Sequence, residues 1–325
     1  MCDYAYTAGL YLIINLGTWT PQDWPAKIHF YNESKYMYGD KFLGVYYDDE
    51  PAGYEIDYNW TDAFNENSSY LFSPSTWSLN GIYSNLQIAN ATGIHPDNYT
   101  QEATWFTNLL KQNRGTTSLN HYNIPYLTSD YALYWFDYLG GYSTLLAQLG
   151  WNSSVNQQIS LVRGAATLQN KDWGTIITWK YTQPPYLDTG ENIYNQIVTS
   201  YNAGAKYITI FDYPYNSTSN PYGIMTDEHF QALEKFWNQV VTKSSPNSVQ
   251  AQAALVLPKD YGWGMRSVDD KIWGFWGPDD KSPLIWNNTQ TLLNKYGLRL
   301  DIIYDDPAFP LQGNYSKIYY WNQTT

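Results

Sequence analysis

The stretch TIITWKYTQPPYLDTGENIYNQIVTSYNAGAKYITIF, residues 175–211, decides the architecture. Thr175 to Trp179 and Tyr207 to Phe211 are short apolar runs rich in β-branched residues, and the segment between them has a helical period. Within Glu191 to Ala203, Ile193, Ile197 and Tyr201 fall on one face, and Gly204 follows as a C-terminal cap. Strand, helix and strand in this order make a βα unit, because two parallel strands need a crossover long enough to hold a helix.

The same alternation continues on either side. Further strands are expected at Leu10–Leu16, Phe42–Tyr47, Tyr131–Phe136, Gln158–Val162, Ala253–Leu257, Leu300–Tyr304 and Lys317–Tyr320. These runs lack strict polar alternation, as strands buried on both faces do. Asp227–Val241 and Leu284–Tyr296 have helical spacing. The pattern predicts an α/β fold, a (β/α)8-type TIM-like barrel over residues 1–243, with a long insertion at 54–125 that includes a helix near Gln101–Lys111. Thr242 to Gln252 has linker composition, so residues 253–325 are expected to form a smaller, incomplete α/β domain. The competing arrangement counts Ala253–Leu257 and Leu300–Tyr304 as the last two strands of a single barrel.

Composition narrows the function. The 325 residues carry 18 basic and 30 acidic side chains, a net charge of −12, and one cysteine. An internal disulfide and a cysteine-built metal site are excluded, and the acidic balance argues against nucleic-acid binding. Only 15% of residues are charged, against about 25% in typical domains, so the polar surface is built largely from uncharged groups. Asn-X-Ser/Thr sequons begin at Asn32, Asn59, Asn67, Asn90, Asn98, Asn152, Asn216, Asn287, Asn314 and Asn322, where residue frequencies alone would give about four. This points to an extracellular or cell-surface glycoprotein whose export signal has been trimmed. No apolar run is long enough to span a membrane.

In a βα barrel, reactive groups sit just past the carboxyl ends of the strands. On the expected strands those positions hold Asp48, Asp49 and Glu50, then Asp137, Arg163, Lys180 and Asp212, with Trp135, Trp179, Tyr181 and Tyr213 nearby. Two carboxyl groups among aromatic rings suit glycosidic cleavage, in which one protonates the leaving oxygen and the other attacks or activates water. Each position also has a structural reading: helix caps for the Asp-Asp-Glu-Pro run and Asp137, a turn for Asp212, ion pairing for Arg163 and Lys180. The four histidines show no metal-binding spacing, no serine-hydrolase or phosphate-loop motif is present, and no cofactor is expected. An oxygen-ligand site built from Asp269, Asp270, Asp279 and Asp280 competes with the plainer reading of solvated loop residues.

GVYYDDEP (Gly44–Pro51), YALYWFDYLGGY (Tyr131–Tyr142) and KDWGTIITWKY (Lys171–Tyr181) resemble the barrel of secreted archaeal proteins related to glycoside hydrolases. LVLPKDYGWGMR (Leu255–Arg266), KIWGFWGPDDKSP (Lys271–Pro283) and LDIIYDDP (Leu300–Pro307) resemble the tail of the same group, arranged like the flavodoxin-like domain behind the barrel in some β-galactosidase-type enzymes. The resemblance implies a glycosidase fold more strongly than an activity. It also implies Glu at the ends of the fourth and seventh strands, where this chain has Asp137 and Asp212. The expectation is therefore an extracellular carbohydrate-active protein, a glycoside hydrolase with Glu50 as general acid/base and Asp137 or Asp212 as nucleophile or base. Its partner would be a carbohydrate, with self-association into a homo-oligomer compatible with the sequence. The rival is a non-catalytic cell-surface glycoprotein that binds glycans or builds a surface layer or filament.

Overall fold

The computed structural model describes residues 2–16, 24–47, 49–57, 96–113, 116–151, 153–212, 223–243, 248–311, 313 and 315–323. The chain forms two compact units, each discontinuous in sequence: Met1–Thr144 with Lys259–Asp279, and Leu145–Pro258 with Asp280–Thr325.

The first unit contains α1 (Cys2–Thr7), β1 (Leu12–Ile14), α2 (Trp24–Tyr38), β2 (Phe42–Tyr46), α3 (Pro51–Asp57), α4 (Tyr99–Asn113), α5 (Thr116–His121), β3 (Tyr126–Asp130) and α6 (Tyr134–Leu139). β1 pairs with β2 and β2 with β3, both in parallel, with Val45 opposite Tyr126. Gly44 makes this closeness feasible: a Cβ there would stand 2.5 Å from the Pro125 carbonyl oxygen. Val45, Tyr126, Phe106, Phe136 and Trp273 are all buried, and the Trp273 ring packs against Phe106 and meets Phe136 edge-on at 4.5 Å.

The second unit contains β4 (Thr144–Leu149), α7 (Val155–Gln169), β5 (Asp172–Ile177), α8 (Gly190–Asn202), β6 (Tyr207–Ile210), α9 (Asp227–Phe236), β7 (Ala253–Leu257), α10 (Ser282–Tyr296), β8 (Leu300–Tyr304) and β9 (Lys317–Tyr320). β5 and β6 pair in parallel from Gly174–Tyr207 to Ile177–Ile210. The 175–211 stretch thus folds as its period predicts, with Ile193 and Ile197 of α8 packed against Leu149 and Ile177. Strands β1 to β6 follow chain order in one sheet, and β7 lies between β8 and β9 in a second, parallel one. The fold is mixed α/β. Among the described residues the larger sheet has six strands, so the expected closed eight-stranded barrel is not seen.

Two expected strands are helices. Tyr131–Phe136 was a continuous apolar run, which periodicity alone cannot assign to a two-sided strand or a buried helix. Leu133 takes φ +47, turning the chain out of the extended path, and α6 begins at the next residue. The strand precedes it, as β3. Gln158–Val162 lies inside α7, which Ser154 caps with a hydroxyl that accepts the Gln157 N–H. This helix packs on β5 and on β8, so nearly every side of it is buried and its sequence lacks an amphipathic stripe. Of the insertion expected at 54–125, residues 58–95 lie outside the described residues, and the helix expected near Gln101–Lys111 is part of α4.

Gly164 sets how closely α7 approaches β8, since a Cβ there would stand 2.7 Å from the Ile302 carbonyl oxygen. Beside it the Arg163 Nε donates to Asp301 at 2.8 Å, and its Nη2 donates to the carbonyls of Leu298 and Leu300. Gly164→Ala should therefore lower stability by about 1–3 kcal/mol through overpacking, read as an earlier midpoint in chemical denaturation with an unchanged far-ultraviolet circular dichroism spectrum.

Candidate functional site

The most developed polar cluster of the first unit lies where β2 and β3 end. Their pairing continues past the strands: Tyr47 N–H donates to the Leu127 carbonyl at 2.8 Å, and Glu50 N–H to the Ser129 carbonyl at 3.0 Å. Glu50 is half-buried and takes φ +54, a conformation costing a residue with a side chain about 1–3 kcal/mol unless its surroundings enforce it.

Asp130 supplies much of that enforcement. Its carboxylate has 0% exposure and accepts four backbone N–H groups, from Ala52 (2.8 Å), Gly53 (2.9 Å), Tyr131 (2.7 Å) and Ala132 (3.3 Å). Ala52 and Gly53 open α3, so Asp130 caps that helix from a separate segment of chain. Burial raises the Asp130 pKa and the Glu50 charge adds to the rise, while the N–H donors oppose it.

Around this anchor the side chains interlock. The Tyr46 hydroxyl donates to Asp49 at 2.5 Å and lies 2.6 Å from the Ser129 hydroxyl, which in turn donates to Asp49 at 2.9 Å. Burial pushes the Tyr46 phenol up, as does the Asp49 charge. Tyr54 is pushed up as well, by burial and then by Glu50 and Asp49. Tyr131 donates to Asp57 at 2.6 Å beneath the Arg266 guanidinium. Arg266 pairs with Asp57 and, through two nitrogens, with Asp270.

In the second unit, the Lys180 Nζ donates to Asp188 at 2.7 Å. Burial works against the Asp188 charge, but Asn192, Lys180 and the Thr189 N–H outweigh it and lower its pKa. Trp179 packs against Tyr186 and Phe211, with Tyr181 and Trp151 exposed on the loops past β5 and β4. The Asp212 Oδ1 accepts N–H groups from Ile224 (2.8 Å) and Met225 (3.3 Å), tying down the loop before α9.

The expected strand-end set is therefore redistributed. Asp49 and Glu50 do follow a strand, as do Lys180 and Asp212. Asp137 and Trp135 do not: both lie in α6 and are buried, because that run is a helix. Arg163 lies within α7, bound to Asp301 and to carbonyl oxygens of its own unit. Asp48 and Tyr213 lie outside the described residues, as do the sequon residues Asn59, Asn67, Asn90, Asn152, Asn216 and Asn314. Asn32 is half-buried in α2, whereas Asn98, Asn287 and Asn322 are exposed. Of the proposed oxygen-ligand set, Asp270 is held by Arg266, and Asp279 accepts hydroxyls of Tyr99 and Tyr261. Among the described residues, no group of three or more His, Cys, Asp or Glu could hold a metal ion.

Asp130 is the residue that reading the sequence missed. The signal was Tyr-Leu-Thr-Ser-Asp behind Pro125, a short β-prone run ending in a carboxylate, overshadowed by the more apolar run after it. Asp130→Asn would turn an NH2 group toward main-chain donors. Each buried N–H left unpaired costs about 1–3 kcal/mol, so the variant should unfold at clearly lower denaturant, measured by tryptophan fluorescence.

No family model and no curated protein matches the chain. Among solved structures, it is similar to a polyextremophilic β-galactosidase from the Antarctic haloarchaeon Halorubrum lacusprofundi, with a TM-score of 0.55 and 11% identity. The match covers 93% of this chain but 52% of the β-galactosidase, so the chain spans about half the length of the protein it resembles. At that identity the likeness is one of fold alone.

Proposed function

We propose that the chain is a carbohydrate-active protein of the glycoside-hydrolase type, acting on a polysaccharide or glycan where β2 and β3 end. The observation that carries this reading is Glu50, half open to solvent and held at positive φ past a parallel strand by the ladder to Ser129 and the buried Asp130. Glycosidic cleavage needs an acid to protonate the leaving oxygen and a carboxylate to attack the anomeric carbon or activate water. Glu50 takes the first part. Asp49, exposed and steadied by the hydroxyls of Tyr46 and Ser129, takes the second. Asp137, with 0% exposure, and Asp212, spent on a loop, drop out of this assignment. The fold likeness to a β-galactosidase supports the reaction class.

Lys180, Tyr181, Trp179 and Trp151 form a separate surface of the second unit suited to sugar rings, whose C–H faces pack on aromatic planes. The protein acts outside the cell in this reading, which exposed sequon residues Asn98, Asn287 and Asn322 and the low-charge composition support. Among the described residues, no helix is long and apolar enough to cross a membrane. A glycan-binding cell-surface protein without catalysis is the second reading, favoured by the confinement of both carboxylates to one loop.

Hydrolysis of a polysaccharide and oligosaccharide panel separates the two. Glu50→Gln should reduce kcat/KM by about 10²–10⁴-fold, the usual worth of a general acid, without shifting the melting temperature. Undiminished hydrolysis by Glu50→Gln removes the assignment. Glycan retention by the wild type with no turnover selects the non-catalytic reading.

A further inference from the structure

In the second unit the carboxyl end of α10 meets β9 through a pair of tyrosines. Tyr296 closes α10, and Tyr319 lies on β9 opposite Leu255 of β7. Both rings are half-buried, their centroids stand 6.0 Å apart, and the two phenol hydroxyls are 2.7 Å from each other. The Lys295 Nζ donates to the Tyr319 hydroxyl at 3.3 Å and sits over both rings, 5.2 Å from the centroid of Tyr296 and 5.6 Å from that of Tyr319. Further along, the Asn288 amide donates to the carbonyls of Trp321 and Gln323, so the helix also holds the turn behind the strand. The rings are thus carried by two elements fixed to each other rather than by a loop.

The arrangement favours loss of an electron from Tyr319. With Tyr296 as donor, the Tyr319 oxygen receives two hydrogen bonds, one of them from a cation. Tyr296 and then Lys295 lower the Tyr319 phenol below its ordinary value, while the same bond raises that of Tyr296. A phenolate gives up an electron more readily than a phenol. The partner ring already stands beside it, and reactants held in place react as if at very high concentration. With one cysteine the chain has no internal disulfide, so a link between tyrosines would be its covalent brace.

We propose that Tyr296 and Tyr319 form a site of oxidative coupling, at which a peroxidase-type one-electron oxidant using hydrogen peroxide joins the two rings as dityrosine. Each phenol gives up one electron and one proton, and the two phenoxyl radicals form one carbon–carbon bond between ring carbons next to those that bear oxygen. The hydrogen on each coupling carbon moves to the oxygen, restoring both phenols. Hydrogen peroxide takes up the two electrons and two protons and leaves as two waters, so the protein ends two hydrogen atoms lighter. Among the described residues β9 is an edge strand, paired with β7, and the link ties it to α10. Closing the chain between these positions also restricts the unfolded state, which is how a covalent cross-link stabilises.

The test treats the full chain, dilute, with a haem peroxidase and limiting hydrogen peroxide, and reads intact mass, tryptic peptide maps and dityrosine fluorescence. The mass should fall by two hydrogens, and the peptides carrying Tyr296 and Tyr319 should run as one linked species. The melting temperature should rise by roughly 3 °C or more. Tyr296→Phe and Tyr319→Phe should each abolish the linked species, whereas Tyr320→Phe, on the opposite face of the same strand, should leave it unchanged. The wild-type map stands even if a variant does not fold. Absence of the linked species, dityrosine formed only between copies or at other tyrosines, or a link with no rise in melting temperature would overturn the proposal. None of these readouts involves glycan hydrolysis, so the result is independent of the catalytic assignment.

Discussion

A single carboxylate without access to water organises the end of the first unit. Asp130 binds four main-chain N–H groups contributed by two segments, the start of α3 and the turn leading into α6. Each bond satisfies a donor that would otherwise be buried unpaired, and together they fix where β2 hands over to α3. The positive φ at Glu50, the space that Gly53 leaves for the Tyr131 ring and the Tyr46–Ser129–Asp49 chain all lie within this frame. Burying one acidic group as scaffold leaves the next two, Asp49 and Glu50, open toward solvent.

The second unit meets a similar demand differently. α7 lies against β5 and β8, and only a glycine at 164 permits the close contact with Ile302. The charge of Arg163 enters that dry region already matched by Asp301 and by the carbonyl oxygens of Leu298 and Leu300. Such a pair stabilises little in itself, but removing one partner would strand the other, so it locks the register of the helix over the sheet.

These two features explain what could be read from the sequence. The 175–211 unit was legible because α8 keeps one face wet, leaving a 3.6-residue period, while β5 and β6 are short and β-branched. α6 and α7 were read as strands because they are buried nearly all round, and burial on every side erases the period that separates the two structures. Losing them moved Asp137 and Arg163 away from strand ends. Asp49 and Glu50 were found because β2 is apolar and ends sharply. Asp130 was not, because its role is to satisfy N–H groups brought close only by the fold, and no local spacing encodes that.

Trp273 ties these elements to chain order. It packs against Phe106 and Phe136 in the core of the first unit, yet it belongs to Lys259–Asp279, which follows more than a hundred residues of the second unit. A ribosome releasing the chain from its N-terminus therefore presents β1 to β3 and their helices long before the side chain that fills their centre. Until residue 273 emerges, that region has a hole the size of an indole. The second unit waits longer still, since it takes Asp280–Thr325 as well, so neither unit is complete until the last fifth of these residues has been made.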